Sequence, residues 1–262
     1  MSQRGFTLIE MAFVIILIGL IVSGGLFAFT PMLQKARINQ TNANLDQIES
    51  ALELFVIRNS RLPCPADGSL TISDTSGNYG LEQPQGGGTC TITGANAVIP
   101  WKTLGMDESY SLDGWATRVS YWPSGTVGTS SSLTAGSVLV RNGSSYPSGT
   151  YMTVTDVVSA KPVTPTTGTD QAAYVVVSHG RSQWYGHNRN GTLLQPGLTV
   201  ASKACNSTPD TCAAPLGNNT FASGGPVGAY PPQATNYFDD IVRWRSPAMV
   251  IQLCGSGSCG NP

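Results

Sequence analysis

The sequence predicts an α+β fold: a long N-terminal helix, apolar in its first half, whose second half packs on an antiparallel β-sheet stapled by disulfides. Three observations predict it. Residues 6–29 hold no Lys, Arg or Asp and a single acid, Glu10. Behind them, apolar residues recur at spacings of three and four as far as Phe55. From Arg118 onward, short β-branched or alternating runs are separated by Gly, Pro, Ser and Thr clusters, the pattern of antiparallel strands.

Residues 1–5, Met1-Ser2-Gln3-Arg4-Gly5, form a short basic leader. The apolar segment behind it is assigned to residues 6–30, and its 24 residues from Phe6 to Phe29 make about 36 Å of helix, enough to cross a hydrocarbon core of about 30 Å. A secretory signal peptide carries its cleavage site after the apolar region. Here the processing point, Arg4-Gly5 followed by Phe6, precedes it. A cut at that point leaves the helix on the mature chain with a free amine at Phe6. Glu10 is costly in lipid, by a few kcal/mol, and calls for a partner. The Phe6 amine lies about 6 Å away along the axis, within reach of a neighbouring subunit's Glu10 offset by that rise. A carboxylate that snorkels to the interface, or is protonated, is the alternative reading.

Residues 31–59 form the amphipathic second half. Ile38, Thr41, Leu45, Ile48, Leu52 and Phe55 mark one face, and Asn59, Ser60 and then Pro63 and Pro65 close the helix. The whole helix, Phe6 to Asn59, spans roughly 80 Å. Such a stripe suits a helix bundle or a helix laid on a sheet equally well. Lys35 and Arg37 balance the leader's charge, so the positive-inside rule gives no orientation.

Residues 60–262 form an extracytoplasmic, β-rich globular domain. It opens with a loop, residues 66–96, that includes Gly86-Gly87-Gly88. Strands are expected at Arg118–Trp122, Ser137–Arg141, Tyr151–Val158, Ala172–Val177 and Met249–Leu253. Only 11% of the residues are charged, and the net charge of -1 gives no footprint for nucleic acid. Six cysteines, all beyond residue 60, suit an oxidising compartment. They allow 15 pairings, of which spacing favours Cys64–Cys90, Cys205–Cys212 and Cys254–Cys259. With no Cys-x2-Cys pair and two histidines, neither a zinc site nor a thioredoxin-like centre is favoured.

The run Arg4-Gly5-Phe6-Thr7-Leu8-Ile9-Glu10 leading into an apolar helix resembles the type IV prepilins and type II secretion pseudopilins. The resemblance implies cleavage after Gly5 by the prepilin peptidase, N-methylation of Phe6, and a pilin-like fold. It also implies a filament whose register is set by Glu10 against a neighbour's Phe6 amine. Partners would be other filament subunits, the inner-membrane assembly platform and, before assembly, lipid. The precursor would be single-pass in a bacterial inner membrane, then part of a periplasmic or cell-surface filament. Asp113-Gly114-Trp115 resembles the Asp-Pro-Trp-Gly turn of major pseudopilins, with Gly114 for Pro and Ala116 for Gly. Ser178-His179-Gly180 resembles their Ser-x-Gly strand end, and Asp239-Asp240-Ile241-Val242-Arg243-Trp244 their Asp-Ile-x-x-Trp segment. Residues 123–170 and 186–236 have no counterpart.

In those relatives the last two patches hold calcium, making Asp239 and Asp240 weak candidates here. Arg181, where an acid is expected, opposes it, and salt bridges of the two aspartates to Arg243, Arg245 or Arg181 are preferred. No cofactor is expected. Ser178, His179, His187 and Asp239 or Asp240 are the residue types of a hydrolase, but there is no Gly-x-Ser-x-Gly elbow, and catalysis is not expected. Trp115, Trp122, Trp184 and Tyr185 read as core aromatics rather than a binding surface. The sequence therefore points to a structural subunit of a type IV pilus or type II secretion pseudopilus. A low-abundance minor subunit or tip adhesin, and a membrane-tethered periplasmic enzyme or binding protein, are the alternatives.

Overall fold

The computed structural model describes residues 7–124, 152–159, 161–164, 171–194, 201–207, 220–227 and 237–252; for residues 21–29, 201 and 251 it describes the backbone alone. The chain begins with one helix, α1 (Leu8–Asn59), continuous through Pro31. Thr7 caps it, and Ser60, with φ 54°, ends it by donating its backbone N–H to Val56 O.

Among the described residues seven strands follow: β1 (Ala66–Asp67), β2 (Ala97–Val98), β3 (Ser120–Pro123), β4 (Thr153–Asp156), β5 (Tyr174–Ser178), β6 (Thr220–Ser223) and β7 (Ile241–Arg245). Among the described residues a short helix α2 (Ala201–Cys205) lies between β5 and β6, and another, α3 (Pro247–Gln252), follows β7. Five strands form an antiparallel sheet in the order β1-β2-β3-β5-β7. Strands β4 and β6 form a separate pair, which is parallel, against the expectation of antiparallel strands throughout.

Three layers result. Leu45, Ile48, Leu52 and Val56 of α1 pack on Val119, Tyr121, Tyr174 and Val176, one face of the sheet. Trp122, Val175 and Val177 point the other way and meet Val154 and Phe221 of the parallel pair and Met152 just before it. With both faces covered, every residue of β3 and β5 is buried, which is why Tyr174–Val177 reads as a continuous apolar run. Each fully buried Leu or Ile of α1 stabilises this docking by about 1.5–3 kcal/mol. Of the expected stripe, Thr41, Leu45, Ile48 and Leu52 are buried, Phe55 is half-buried and Ile38 is exposed.

Polar contacts fix how α1 lies on the sheet. From β7, Arg243 Nη2 donates to Asn42 Oδ1 at 3.0 Å, and Arg243 also pairs with Asp46 and Glu49. Arg245 Nη2 reaches Glu49 Oε2 at 3.0 Å. Two arginines expected to serve Asp239 or Asp240 are thus committed to the helix instead. On the other side, Asn44 Nδ2 donates to Leu112 O at 2.6 Å, and Gly114 N donates to Thr41 Oγ1 at 2.9 Å. A Cβ on Gly114 would lie 2.2 Å from Arg37 O, so the turn reaches the helix only as glycine.

The C-terminal expectation is corrected. Residues Met249–Gln252, read as part of a strand, lie in α3, where Pro247 takes the first helical position that suits its fixed φ. Strand β7 was not anticipated, although Val242 and Trp244 alternate with Arg243 and Arg245. Strand β6 was not anticipated either. The expected strands at 118–122, 151–158 and 172–177 correspond to β3, β4 and β5 with shifted ends, while Ser137–Arg141 lies outside the described residues.

The 66–96 loop is held at both ends. Cys64 and Cys90 form a disulfide with Cα atoms 5.4 Å apart. Beside it the buried Arg61 and Glu82 make a two-pronged pair, at 2.8 and 2.7 Å. Glu82 also accepts from Cys64 N at 2.9 Å. Cys205 is disulfide-bonded, and Cys212, Cys254 and Cys259 lie outside the described residues.

Candidate functional site

Two regions carry the residues singled out from the sequence. The first is the N-terminus. Gly5 and Phe6 lie outside the described residues. At the helix start, Thr7 and Glu10 form a capping box: Glu10 Oε2 accepts from Thr7 N at 2.9 Å, and Thr7 Oγ1 accepts from Glu10 N at 3.3 Å. Glu10 therefore has a local partner within its own chain, satisfying an otherwise orphaned donor of the first turn. The side chains from Leu8 to Leu20 are exposed, Leu8 to 89%, as are Met32 and Leu33. Among the described residues no helix is long and apolar enough to cross a membrane.

The second region is the end of the sheet where β5 and β7 meet. The turn after Leu112 is organised by Asp113, whose Oδ1 accepts from Trp115 N and Thr117 N at 2.9 and 3.0 Å. Its Oδ2 accepts from Ser178 Oγ at 2.7 Å. Burial pushes the Asp113 carboxyl up to about 6, against the pull of these donors. The three family-like patches thus come together: the Asp113 turn bonds the Ser178 strand end, and Gly180 lies against Asp239. Gly180 has φ 63°, and a Cβ there would be 2.1 Å from Asp239 O.

Asp239 and Asp240 do not pair with Arg243, Arg245 or Arg181 in the contacts described; their cation is Lys203 of α2. The Lys203 ammonium, fully buried, donates to Asp239 Oδ1 at 2.7 Å, to His179 O at 3.2 Å and to Asp240 Oδ1. Asp239 Oδ2 accepts from Ser182 N at 2.7 Å and Tyr237 Oη at 3.0 Å. Asp240 Oδ2 accepts from Asn206 Nδ2 at 2.9 Å. Asn206 is in turn paired to both backbone groups of Ala222 in β6. Burial disfavours the Lys203 ammonium, but Asp240 and Asp239 outweigh it and hold its pKa above the usual lysine value. Burial raises Asp240 to about 6 despite Lys203. The point on which these oxygens converge is filled by the Lys203 ammonium.

Sequence reasoning did not find Lys203. It lies in an insertion without family counterpart, 36 residues from Asp239, and no spacing rule links the two.

The hydrolase residue types are dispersed among structural contacts. Ser178 donates to Asp113, His179 Nε2 meets Ser120 Oγ at 2.8 Å, and His187 Nε2 meets Asn96 Oδ1 at 3.0 Å. Burial lowers the His179 pKa to about 3, helped by Lys203. Trp122 is buried against Phe221 and Trp184 meets Tyr237 edge-on, whereas Trp115, Trp184 and Tyr185 are half-buried.

Residues 1–26 match the model of the prokaryotic N-terminal methylation motif, the signature of type IV prepilins and pseudopilins. No curated protein and no solved structure matches the chain.

Proposed function

We propose that the chain is a structural subunit of a type IV pilus or type II secretion pseudopilus. Prepilin peptidase cleaves it after Gly5, Phe6 is N-methylated, and the mature helix leaves a single-pass position in the inner membrane to enter a filament core. The observation that carries this reading is the methylation motif at residues 1–26 running directly into α1, whose described apolar side chains Leu8–Ile18 are exposed. A surface of that size needs lipid or other helices to cover it.

Glu10 sets the register of addition by meeting a neighbour's Phe6 amine. Its capping box suggests a substitution that separates the two roles. Glu10→Gln keeps a residue that can serve in the box but removes the charge. The filament reading expects Glu10→Gln to be cleaved normally and to leave no sheared filaments, seen by negative stain and by mass spectrometry of the mature N-terminus. Wild-type protein still starting at Met1 or Ser2, with no peptide beginning at methylated Phe6, overturns the reading. One or a few copies per filament instead identifies a minor or tip subunit.

A further inference from the structure

We propose that the oxygens of Asp239, Asp240 and His179 form a cation-binding centre whose resident cation is the chain's own Lys203 ammonium, so that this end of the sheet closes without any divalent metal. The proposal is independent of the filament reading.

Three observations carry it. First, the donors are hard oxygens from two segments far apart in sequence: one carbonyl at the end of β5 and two carboxylates entering β7. Such a set holds a divalent cation when nothing else neutralises it. Second, the remaining carboxylate oxygens are already held by Ser182, Tyr237 and Asn206, so the two acids are positioned by contacts that do not depend on Lys203. Third, the lysine is delivered from a separate segment, α2, which Asn206 ties to β6. Its stem is as buried as its head, so the amine cannot swing out to solvent without α2 moving.

The arrangement differs from an ordinary buried ion pair. One cation serves two carboxylates and a carbonyl, leaving the trio with one net negative charge when all three groups are ionised. Lys203 thereby ties α2 to the junction of β5 and β7, the work that a calcium ion bridging loops does elsewhere. A covalently attached cation cannot be removed by a chelator or diluted away.

The test uses the full chain in mild detergent, with thermal unfolding followed after adding EDTA or calcium chloride alone. The wild-type Tm is expected to be the same in both. Lys203→Ala leaves the acids unpaired, and its Tm is expected to fall by roughly 6–20 °C. Calcium chloride is expected to restore part of that loss by occupying the vacated position. Lys203→Met, whose side chain still fills the space, is expected to fall similarly and gain nothing from calcium. A wild-type Tm that rises with calcium, or falls with EDTA, overturns the proposal. So does an alanine variant as stable as the wild type, one unfolded with or without calcium, or alanine and methionine variants that respond to calcium alike.

Discussion

The Ser178 hydroxyl donates to the Asp113 carboxylate at 2.7 Å across 65 residues of chain, joining the turn that meets α1 to the end of β5. One carboxylate satisfies two backbone donors of its own turn and one distant hydroxyl. Asp113→Ala therefore leaves three donors, two of them buried, without this acceptor and is expected to cost about 2–4 kcal/mol. Asp113→Asn keeps one oxygen for the turn, and the Ser178 hydroxyl can rotate to accept from its amide. Chemical denaturation should place Asn well above Ala. Equal losses for the two would mean that the acceptors do not matter.

Gly180→Ala combines a left-handed backbone with a collision against Asp239 O, whereas Gly114→Ala meets only the steric obstacle, at Arg37 O. Neither obstacle is the tip of a flexible side chain, so something larger must shift. Gly180→Ala is expected to be the more damaging, by at least about 1 kcal/mol. Hydrogen exchange should show loosening near Lys203 for Gly180→Ala and along residues 37–44 for Gly114→Ala.

Cys64 and Cys90 are 26 residues apart, and removing the cross-link as Cys64→Ser with Cys90→Ser is expected to cost about 3–4 kcal/mol. Glu82, which pairs with Arg61, lies inside the cross-linked loop. Proteolysis should consequently appear first within residues 66–96 rather than in the sheet.

His179 is neutral in the folded chain, with a pKa near 3, so the unfolded chain binds the extra proton as the pH falls from about 6.5. Stability is accordingly lost through that window, by up to about 5 kcal/mol from this residue. Asp113 and Asp240 act oppositely. Their folded pKa values, near 6, exceed the usual 3.8, so protonation between those limits favours the fold. The cleanest readout is the difference between wild type and His179→Gln, which shares both acids. The variant should gain on the wild type as the pH drops from 6.5 towards 3. A constant gap across that range would contradict the assignment.

The helix and the central strands were legible because their signals are local. A stripe at spacings of three and four and the run Tyr174–Val177 each need only neighbouring residues to be read. Apart from the local case of Met249–Gln252, what resisted reading was settled by distance in sequence. Met249–Gln252 is apolar enough for a strand, and only Pro247 at the helix start decides otherwise. Arg243 and Arg245 look like partners for the adjacent aspartates, yet they reach helix residues nearly 200 positions earlier, at Asp46 and Glu49. Lys203 was invisible for the same reason. At the N-terminus the motif is plain in the sequence, while the Thr7–Glu10 capping box rests on a three-residue spacing that a lone acid in an apolar run obscures.

The grip of Arg243 on Asn42, Asp46 and Glu49 has a consequence at the far end of α1. Those three residues lie on one side of the helix over two turns, so advancing the helix by a single residue would swing them about 100° away. The body therefore dictates the azimuth of the helix as well as its position. Any neighbour that docks against the exposed stretch from Leu8 to Ile18 meets a surface whose compass bearing relative to the globular body was set about twenty-five to forty residues away.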